Sequence, residues 1–509
     1  MNVKARSFFI VIGFYFFLTA CVRSSSADVE PWRPGDGEVA SDSVSENASA
    51  EIIVSNSQSS GNPLFTPTPD PPHAIPGLRS GEEVYYVQAG DTLGRISEKY
   101  NISVAAIAEA NQITNVDVLE IGQELVIPAP QPVSTGPGFK LIPDSELVAG
   151  PLTSEFDVTS FARGKNGYLV HYEEEVDGRT LTGDEIVTLI ARDFSVNPRL
   201  LLAVLDFQSR WVSDNNPRTD TLKYPLGWRD PWREGLYKQL SWAANNLNRG
   251  YYLWRVNAIS SWILADNTVV PADPTINAGT AALQYFFGLL YGYQTWEKSI
   301  LNDGFFAVYN DLFGYPFGYS FEPLIPKNLA QPSFQLPFEP EIVWAFTGGP
   351  HGGWGDGSAW AALDFAPFVD TRGCFSSDEW VVAMADGLIT RAENGTVVQD
   401  LDQDGKEQTG WTILYLHIES QDRVKAGTLL QAGDRIGHPS CEGGVTDGTH
   451  VHIARRYNGE WIPADQGLPF VMEGWTSYGV GSEYDGTLQK GSAIIEAYNG
   501  NIASNAIKR

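Results

Sequence analysis

The sequence predicts a multidomain protein with a small βααβ module, a mainly α-helical central domain and a C-terminal antiparallel β domain. Proline-rich segments at 128–138 and 326–341 divide a chain of 509 residues. Between these segments apolar residues recur at helical spacing, which is typical of amphipathic helices. After the second segment, short apolar runs alternate with glycine-containing turns, which is typical of antiparallel strands.

The first residues have the features of a secretory signal. Two basic residues precede an apolar run at 8–18, which is shorter than the about 20 apolar residues of a membrane-spanning helix. The stretch Leu-Thr-Ala-Cys at 18–21 resembles the bacterial lipobox. That resemblance implies a signal peptide of residues 1–20 and a lipid on Cys21. The protein is then expected outside the cytoplasm, anchored by its lipid to a bacterial membrane and facing the cell wall.

Residues 21–81, beginning with the lipidated cysteine, are rich in Ser, Asn, Pro and Gly and lack a hydrophobic period, which predicts a disordered stalk. The formal net charge of −28 argues against a nucleic-acid partner, because phosphate backbones recruit Lys and Arg. Cys374 and Cys441 remain as an even pair, which in an oxidising compartment favours a disulfide. The spacing of the two cysteines does not decide between a disulfide and the alternative, two free thiols.

Residues 82–130 predict the βααβ module. A strand at Val84–Gln88 leads into Gly-Asp-Thr, which can cap the first helix, and Glu124–Ile127 forms the closing strand. The patterns YxVxxGDTLxxI and LxxGQxLxIP closely resemble the signatures of the LysM domain, with Ser97 where Ala is usual. The resemblance implies binding to the N-acetylglucosamine-containing glycan of peptidoglycan. The glycan-binding residues that it implies lie in two loops: Gly90, Asp91, Thr92, Ile113 and Asn115. A purely structural module is the alternative.

Residues 150–325 predict the helical domain. The pattern at 190–212 resembles lysozyme-like transglycosylases, in which a glutamate before a serine is the general acid. Here Gln208 precedes Ser209, and an amide cannot donate that proton. The nearest carboxylate is Asp206. A lysozyme-like fold without lytic chemistry and a helical spacer or substrate platform both remain open.

The C-terminal region contains five of the seven histidines. His450 and His452 lie two residues apart in a predicted strand, so both side chains point to one face. Histidine is the commonest metal ligand. Asp364 lies in an apolar run typical of a buried strand, where a carboxylate needs a cation as partner. His351 is predicted to follow a Gly-Pro turn, and His417 to end another strand.

These elements resemble the lysostaphin-type zinc endopeptidases of the bacterial cell wall. That family has an H…D motif, a YxH motif and a final HxH, which match residues 351–364, 415–417 and 450–452. AGDRIG at 432–437 matches the loop before HxH. The resemblance implies a peptidase domain at 340–470, followed by a C-terminal extension at 471–509. It implies Zn²⁺ bound by His351, Asp364 and His452, with His417 and His450 as catalytic residues.

Two features depart from that family. Twelve residues separate His351 from Asp364, whereas the family usually places the aspartate closer, so Asp356 is a rival ligand. In an acidic insertion at 399–410, Asp400, Asp402, Asp404 and Gly405 resemble the start of a calcium loop. The twelfth position of such a loop is Trp411 here instead of the glutamate of an EF-hand, and a solvated acidic turn is the alternative.

The sequence therefore predicts a cell-wall-bound zinc metalloendopeptidase that cuts peptide bonds in the stem peptides or cross-bridges of peptidoglycan, targeted by its glycan-binding module. The alternative is a non-catalytic peptidoglycan-binding scaffold or an activator of another hydrolase. The complete set of five site residues favours the enzyme. The long separation between His351 and Asp364 favours the alternative, because an insertion there could cover the cleft.

Overall fold

The computed structural model describes residues 73, 79–88, 90–100, 102–130 and 134–509. The predicted signal peptide, the predicted lipidation site Cys21 and nearly all of the predicted stalk lie outside these residues. The described chain forms two compact units, of which one contains residues 79–130. In the described residues, no helix has both the length and the apolar character needed to cross a membrane.

The smaller unit has the βααβ order that the sequence predicts. Its elements are β1 (Glu83–Tyr86), α1 (Leu93–Tyr100), α2 (Val104–Ala110) and β2 (Glu124–Ile127), and the two strands pair antiparallel. The Ser103 side chain caps α2 by accepting a hydrogen bond from the Ala106 amide. Apolar residues from both helices and both strands form one small core: Val87, Leu93, Ile96, Ile102, Ile107, Leu125 and Ile127.

The predicted central domain is mainly helical. Its helices are α3 (Val158–Lys165), α4 (Gly183–Phe194), α5 (Pro198–Ser209), α6 (Leu236–Arg255), α7 (Ala278–Leu290), α8 (Tyr293–Ser299) and α9 (Phe305–Phe313). Two short hairpins accompany them: β3 (Glu173–Val176) with β4 (Arg179–Thr182), and β5 (Ser261–Ile263) with β6 (Val269–Pro271). A capping box is present at the start of α4, where Thr182 and Glu185 satisfy each other's backbone amides. Helices α5 and α7 are apolar on nearly all sides and are correspondingly buried.

The C-terminal region consists of antiparallel strands, as predicted. The main sheet contains β7 (Val343–His351), β8 (Ala362–Pro367), β10 (Gly387–Glu393), β11 (Thr396–Asp400), β12 (Trp411–Leu416), β13 (Leu429–Leu430), β15 (Val451–Tyr457), β16 (Glu460–Trp461) and β21 (Ala506–Lys508). Its order is β13-β10-β11-β12-β15-β8-β7-β21, with β16 paired to β15. A small ribbon pairs β9 (Val381–Val382) with β14 (Arg435–Gly437).

The predicted C-terminal extension is folded into this region. Strands β17 (Val471–Met472), β18 (Trp475–Gly479), β19 (Gly486–Lys490) and β20 (Ala493–Glu496) form a second antiparallel sheet, and β21 is the edge strand beside β7. Met472, Leu488 and Ile507 pack into the core of the main sheet. Residues 471–509 therefore belong to the same folded body as the strands that carry the candidate site.

The helical body (residues 134–325) and the β body (residues 334–509) share one hydrophobic core. Ala362, Leu414 and Trp461 of the β body cluster with the apolar residues of the helices. Hydrogen bonds cross the same interface: the Ser195 hydroxyl donates to the Gly459 carbonyl at 2.6 Å. Because the buried contacts are continuous, the two predicted domains fold as one compact unit.

Cys374 and Cys441 form a disulfide, with Cα atoms 5.8 Å apart and a sequence separation of 67. In the chain-entropy model a closed loop of this length contributes about 4 kcal/mol to the free energy of unfolding. We expect the double variant Cys374→Ser/Cys441→Ser to lose about 2–4 kcal/mol, measured by guanidinium unfolding of the full chain. An unchanged midpoint in the variant would show that the crosslink contributes nothing.

Candidate metal centre

Three neighbouring strands bring the predicted ligands together. Asp364 on β8 lies directly opposite His452 on β15. His351 is the last residue of β7, which pairs with the other edge of β8. The prediction that His351 follows a Gly-Pro turn is wrong, because Gly349 and Pro350 are part of β7. Two shifts of the strand register in that segment place the His351 side chain over Asp364.

The ligand atoms of these three residues converge. His351 Nε2 lies 3.3 Å from Asp364 Oδ1, and His452 Nδ1 lies 3.3 Å from the same oxygen. The two imidazole nitrogens are 3.0 Å apart. All three side chains are buried, and they form one of the two groups in the described chain that could hold a metal ion.

Backbone carbonyls fix the orientation of both predicted ligand histidines. His351 Nδ1 donates to the Gly349 carbonyl at 2.7 Å, and His452 Nε2 donates to the Gly353 carbonyl at 3.1 Å. A carbonyl oxygen only accepts hydrogen bonds, so each ring carries its proton on that nitrogen. The lone pair of the opposite nitrogen is then turned toward Asp364. Metal-binding histidines are commonly oriented in this way by a hydrogen bond from their other nitrogen.

The two predicted catalytic histidines are held in the same way. His417 Nδ1 donates to the Glu442 carbonyl at 2.9 Å, and His450 Nδ1 donates to the Gly448 carbonyl at 2.9 Å. Their ring centroids are 4.5 Å apart, and His450 Nε2 lies 3.7 Å from Asp364 Oδ1. Both Nε2 atoms are therefore available for proton transfer beside the ligand cluster.

The donor set fits a zinc ion. Asp364 Oδ1 is buried and has no hydrogen-bond partner, although it lies among three imidazole nitrogens. A buried oxygen without a partner is costly, and a cation would satisfy it. Two imidazoles and one carboxylate are ligands that zinc accepts, and three protein ligands leave a fourth position open for chemistry. The residues that would hold zinc are His351, Asp364 and His452.

Electrostatics in the site follow from burial and from the neighbouring charges. Burial alone would raise the pKa of Asp364, but positive charge on His351 and His450, when these rings are protonated, outweighs burial and holds that pKa well below its usual value. Burial lowers the pKa of His417 to about 3, with help from His450 and His452. His417 is therefore neutral at physiological pH, as a proton acceptor must be. Its backbone φ of 65° lies in the left-handed region, a strained conformation that is common at functional sites.

Asp364 and not the rival Asp356 faces the histidines. The Asp356 side chain is 71% exposed, compared with 10% for Asp364, and it accepts a hydrogen bond from Asn245. Asp364 packs directly on β7: a Cβ added to Gly348 would lie 2.5 Å from Asp364 Oδ2. A side chain at residue 348 would displace the carboxylate from the histidines.

Sequence reasoning missed Tyr484. Its ring stacks on His351 with centroids 4.2 Å apart, and it lies in the turn between β18 and β19. Burial and the nearby Asp364 carboxylate raise its pKa to about 12, so it stays protonated. No local motif marks Tyr484, because the extension reaches the site only through the tertiary packing of its sheet on β7.

The remaining predicted residues lie away from this cluster. Asp206 is buried and accepts hydrogen bonds from the Val212 and Ser213 amides, so its carboxylate holds a turn. His438 donates from Nδ1 to the Glu379 carbonyl.

In the acidic insertion, the Asp400 carboxylate accepts from the Asp402 and Gly405 amides. Burial and the neighbouring Asp402 and Asp404 raise the pKa of Asp400 to about 6. The three carboxylates form the second group that could hold a metal.

In the smaller unit, the predicted glycan-binding residues shape two loops. Gly90 has φ of 87°, and Asp91 Oδ2 accepts hydrogen bonds from the Gln88 amide and the Tyr85 hydroxyl. The Thr92 hydroxyl accepts from the Arg95 amide at the start of α1. Asp91 and Thr92 thus fix the conformation of the first loop.

In the second loop, Asn115 Oδ1 accepts from the Asp117 amide, and Ile113 packs against the small core. Asn115 therefore shapes the second loop as Asp91 and Thr92 shape the first.

Two segments of the chain match protein-family models. Residues 85–128 match the LysM domain. Residues 140–324 match the model "LasA, N-terminal domain". The lysozyme-like interpretation of the helical body is not confirmed, since the model that matches this body is that of the LasA N-terminal domain.

Two characterised relatives have low sequence identity to this chain. Protease LasA of Pseudomonas aeruginosa strain UCBPP-PA14 is 26% identical over 302 residues, which cover 54% of this chain and 66% of LasA, slightly less than two thirds of its length. The secreted LysM effector ECP6 of Passalora fulva is 32% identical over 94 residues, which cover 18% of this chain and 40% of ECP6.

Similar solved structures include the M23 metalloprotease pseudoalterin from the deep sea, at 22% identity and a TM-score of 0.28, covering 35% of this chain and 100% of that chain. The catalytic domain of lysostaphin from Staphylococcus simulans is 23% identical with a TM-score of 0.17, covering 24% of this chain and 87% of that chain.

Proposed function

We propose that this chain is a zinc-dependent endopeptidase that hydrolyses peptide bonds in the stem peptides or cross-bridges of peptidoglycan. One observation carries the proposal: four buried or nearly buried imidazoles each donate one ring N–H to a backbone carbonyl, and the other nitrogen of three of them lies within 3.7 Å of Asp364 Oδ1. Hydrogen bonds to carbonyls satisfy buried ring N–H groups in any site. The convergence of the other nitrogens on one buried carboxylate is what metal ligation and proton transfer need.

The roles divide between two pairs of histidines. Zinc held by His351, Asp364 and His452 would supply Lewis acidity for a peptide carbonyl and for an attacking water. His417, neutral at physiological pH, accepts through Nε2 the proton that the attacking water releases, and His450 beside it relays that proton to the leaving amine. The Tyr484 hydroxyl stays protonated near the same centre and can donate a hydrogen bond to a developing oxyanion.

The smaller unit supports the choice of substrate. Its match to the LysM domain supports binding of the N-acetylglucosamine-containing glycan, through the loops that contain Gly90–Thr92 and Ile113–Asn115. Holding the glycan raises the local concentration of the attached peptides at the second site. The similarity to protease LasA supports peptide cleavage. Lipidation of Cys21 would keep the enzyme at a membrane facing the wall.

The test is digestion of purified peptidoglycan by the full chain, with and without a chelator. The whole chain is used because the helical body shares the core of the β body. New amino groups that appear without chelator, disappear with it and return with added zinc would establish the peptidase, and fragment masses would identify the bond. Sedimentation of the protein with peptidoglycan without any release of amines, for several peptidoglycan types, would establish the scaffold instead.

A further inference from the structure

The segment between the two predicted ligands His351 and Asp364 is held by the helical body. On helix α6, Asn245 Nδ2 donates to Asp356 Oδ1 at 2.5 Å, and Asn245 Oδ1 accepts from the Gly357 amide at 3.0 Å. One side chain thus contacts the turn through both a donor and an acceptor. The side-chain amide of Asn245 is therefore a two-point attachment for the ligand-bridging loop, which we define as residues 352–361.

The loop lies against the helix with no space between them. A Cβ added to Gly357 would lie 1.9 Å from the Asn245 carbonyl oxygen, and one added to Gly355 would lie 2.6 Å from Asn245 Oδ1. Glycine is needed at both positions for this close approach. The Trp354 ring also contacts the Phe194 ring of α4 edge-on, with centroids 6.4 Å apart. The ligand-bridging loop therefore contacts both α4 and α6 of the helical body.

The same loop carries the carbonyl that orients a predicted metal ligand. Gly353 accepts the hydrogen bond from His452 Nε2, and its own amide donates to the Ala359 carbonyl at 3.0 Å. Within the loop, the Trp354 amide donates to the Ser358 hydroxyl at 2.9 Å. Movement of the turn that Asn245 holds would therefore move the Gly353 carbonyl and release the His452 ring.

We propose that the helical body positions the metal centre, with Asn245 as the positioning residue that acts through the ligand-bridging loop on His452. This inference rests on the proposed metal site and assigns the helical body a role beyond that of a spacer. The long separation of His351 and Asp364 then has a function, because the added residues reach α6. Substitution of the residues that orient metal ligands typically lowers metal affinity about 10–100-fold.

The experiment measures the zinc dissociation constant of the full chain by competition with a chromophoric chelator, and the visible spectrum of the cobalt-loaded protein. We expect Asn245→Ala to weaken zinc binding about 10–100-fold and to shift the cobalt spectrum, with an unchanged fold by circular dichroism. Asn246→Ala is the matched control, because Asn246 lies on the same helix but donates to Trp242 of its own helix. It should leave both readouts unchanged.

An exchange of partners tests the specific contact. The double variant Asn245→Asp/Asp356→Asn keeps an acceptor for the Gly357 amide and reverses the donor in the second bond, so it should restore most of the zinc affinity. Wild-type affinity in Asn245→Ala, or equal losses in Asn245→Ala and Asn246→Ala, would overturn the positioning role. Failure of the wild-type chain to bind zinc at all would instead overturn the proposed function.

Discussion

Alanine at His452 will abolish both zinc binding and peptide cleavage, whereas alanine at His450 will abolish cleavage and leave one zinc ion per chain. His452 Nδ1 lies 3.0 Å from His351 Nε2 and 3.3 Å from Asp364 Oδ1, so its loss opens the ligand set. The loss of zinc affinity should exceed the about 10²-fold effect of outer-shell changes.

His450 Nε2 is farther from the carboxylate, at 3.7 Å, and its ring stands beside His417. A lost proton-transfer group typically costs about 10²–10⁴-fold in rate. His450 and His452 are only two residues apart, so the two variants change the same part of the fold. A different outcome would therefore reflect the different roles of the two side chains.

The measurement combines metal content by atomic emission with the release of amino groups from peptidoglycan. His438→Ala is the control, because this histidine lies in the same body but contacts Glu379 and Trp380 instead of the cluster. It should retain both zinc and activity. Equal zinc loss in the His450 and His452 variants would show that the division of roles on this strand is wrong.

Much of the site could be predicted because its residues lie in local patterns. Alternation along a strand places His450 and His452 on one face, and an apolar run around Asp364 indicates a buried strand whose carboxylate needs a cation. Burial also distinguishes Asp364 from Asp356, as the apolar context suggests. Local patterns were insufficient at His351, where register shifts in β7, and not a turn, set the direction of the side chain.

The sequence predicts whether a segment is a helix or a strand more readily than it predicts which other segments it contacts. Helical periodicity predicts a helical body, but it cannot show that Tyr252 of α6 hydrogen-bonds the Trp461 amide, or that Asn245 holds a loop more than a hundred residues away. Tyr484 was missed for the same reason. Such contacts depend on which apolar faces meet, and many pairings satisfy the same patterns.

The buried Glu407 carboxylate is expected to contribute a large ion-pair effect to stability. Arg391 contacts it with two hydrogen bonds of 3.0 Å, and Arg456 adds one of 2.7 Å. Arg391 also pairs with Asp193 of the helical body, so the cluster lies at the shared interface. Glu407→Gln would leave two buried cations without their main compensating charge, which typically costs about 3–5 kcal/mol.

The control for Glu407→Gln is Glu341→Gln. Glu341 pairs with Lys508 at the surface and is 80% exposed, so this variant should lose less than about 1 kcal/mol. Guanidinium unfolding at neutral pH measures both. Equal, small losses in the two variants would show that the Glu407 cluster is held by packing and not by charge.

The pH dependence of the stability difference between the Glu407→Gln and Glu341→Gln variants shows whether the charge of Glu407 causes it. Burial alone would raise the pKa of Glu407, but Arg391 and Arg456 lower it from 4.5 to about 2. A carboxyl with a depressed pKa stabilises the fold above its unfolded value and loses that contribution as pH falls toward its folded value. The carboxylate contributes about 3 kcal/mol at neutral pH by this reasoning.

The difference in unfolding free energy between the Glu341→Gln variant, which retains Glu407, and the Glu407→Gln variant should therefore shrink steadily below pH about 4.5. The reason is that protonated Glu407 resembles glutamine. Both variants keep the metal ligands, so acid release of zinc affects them equally. A gap that persists unchanged in acid would assign the stabilisation to shape and hydrogen bonding instead of charge.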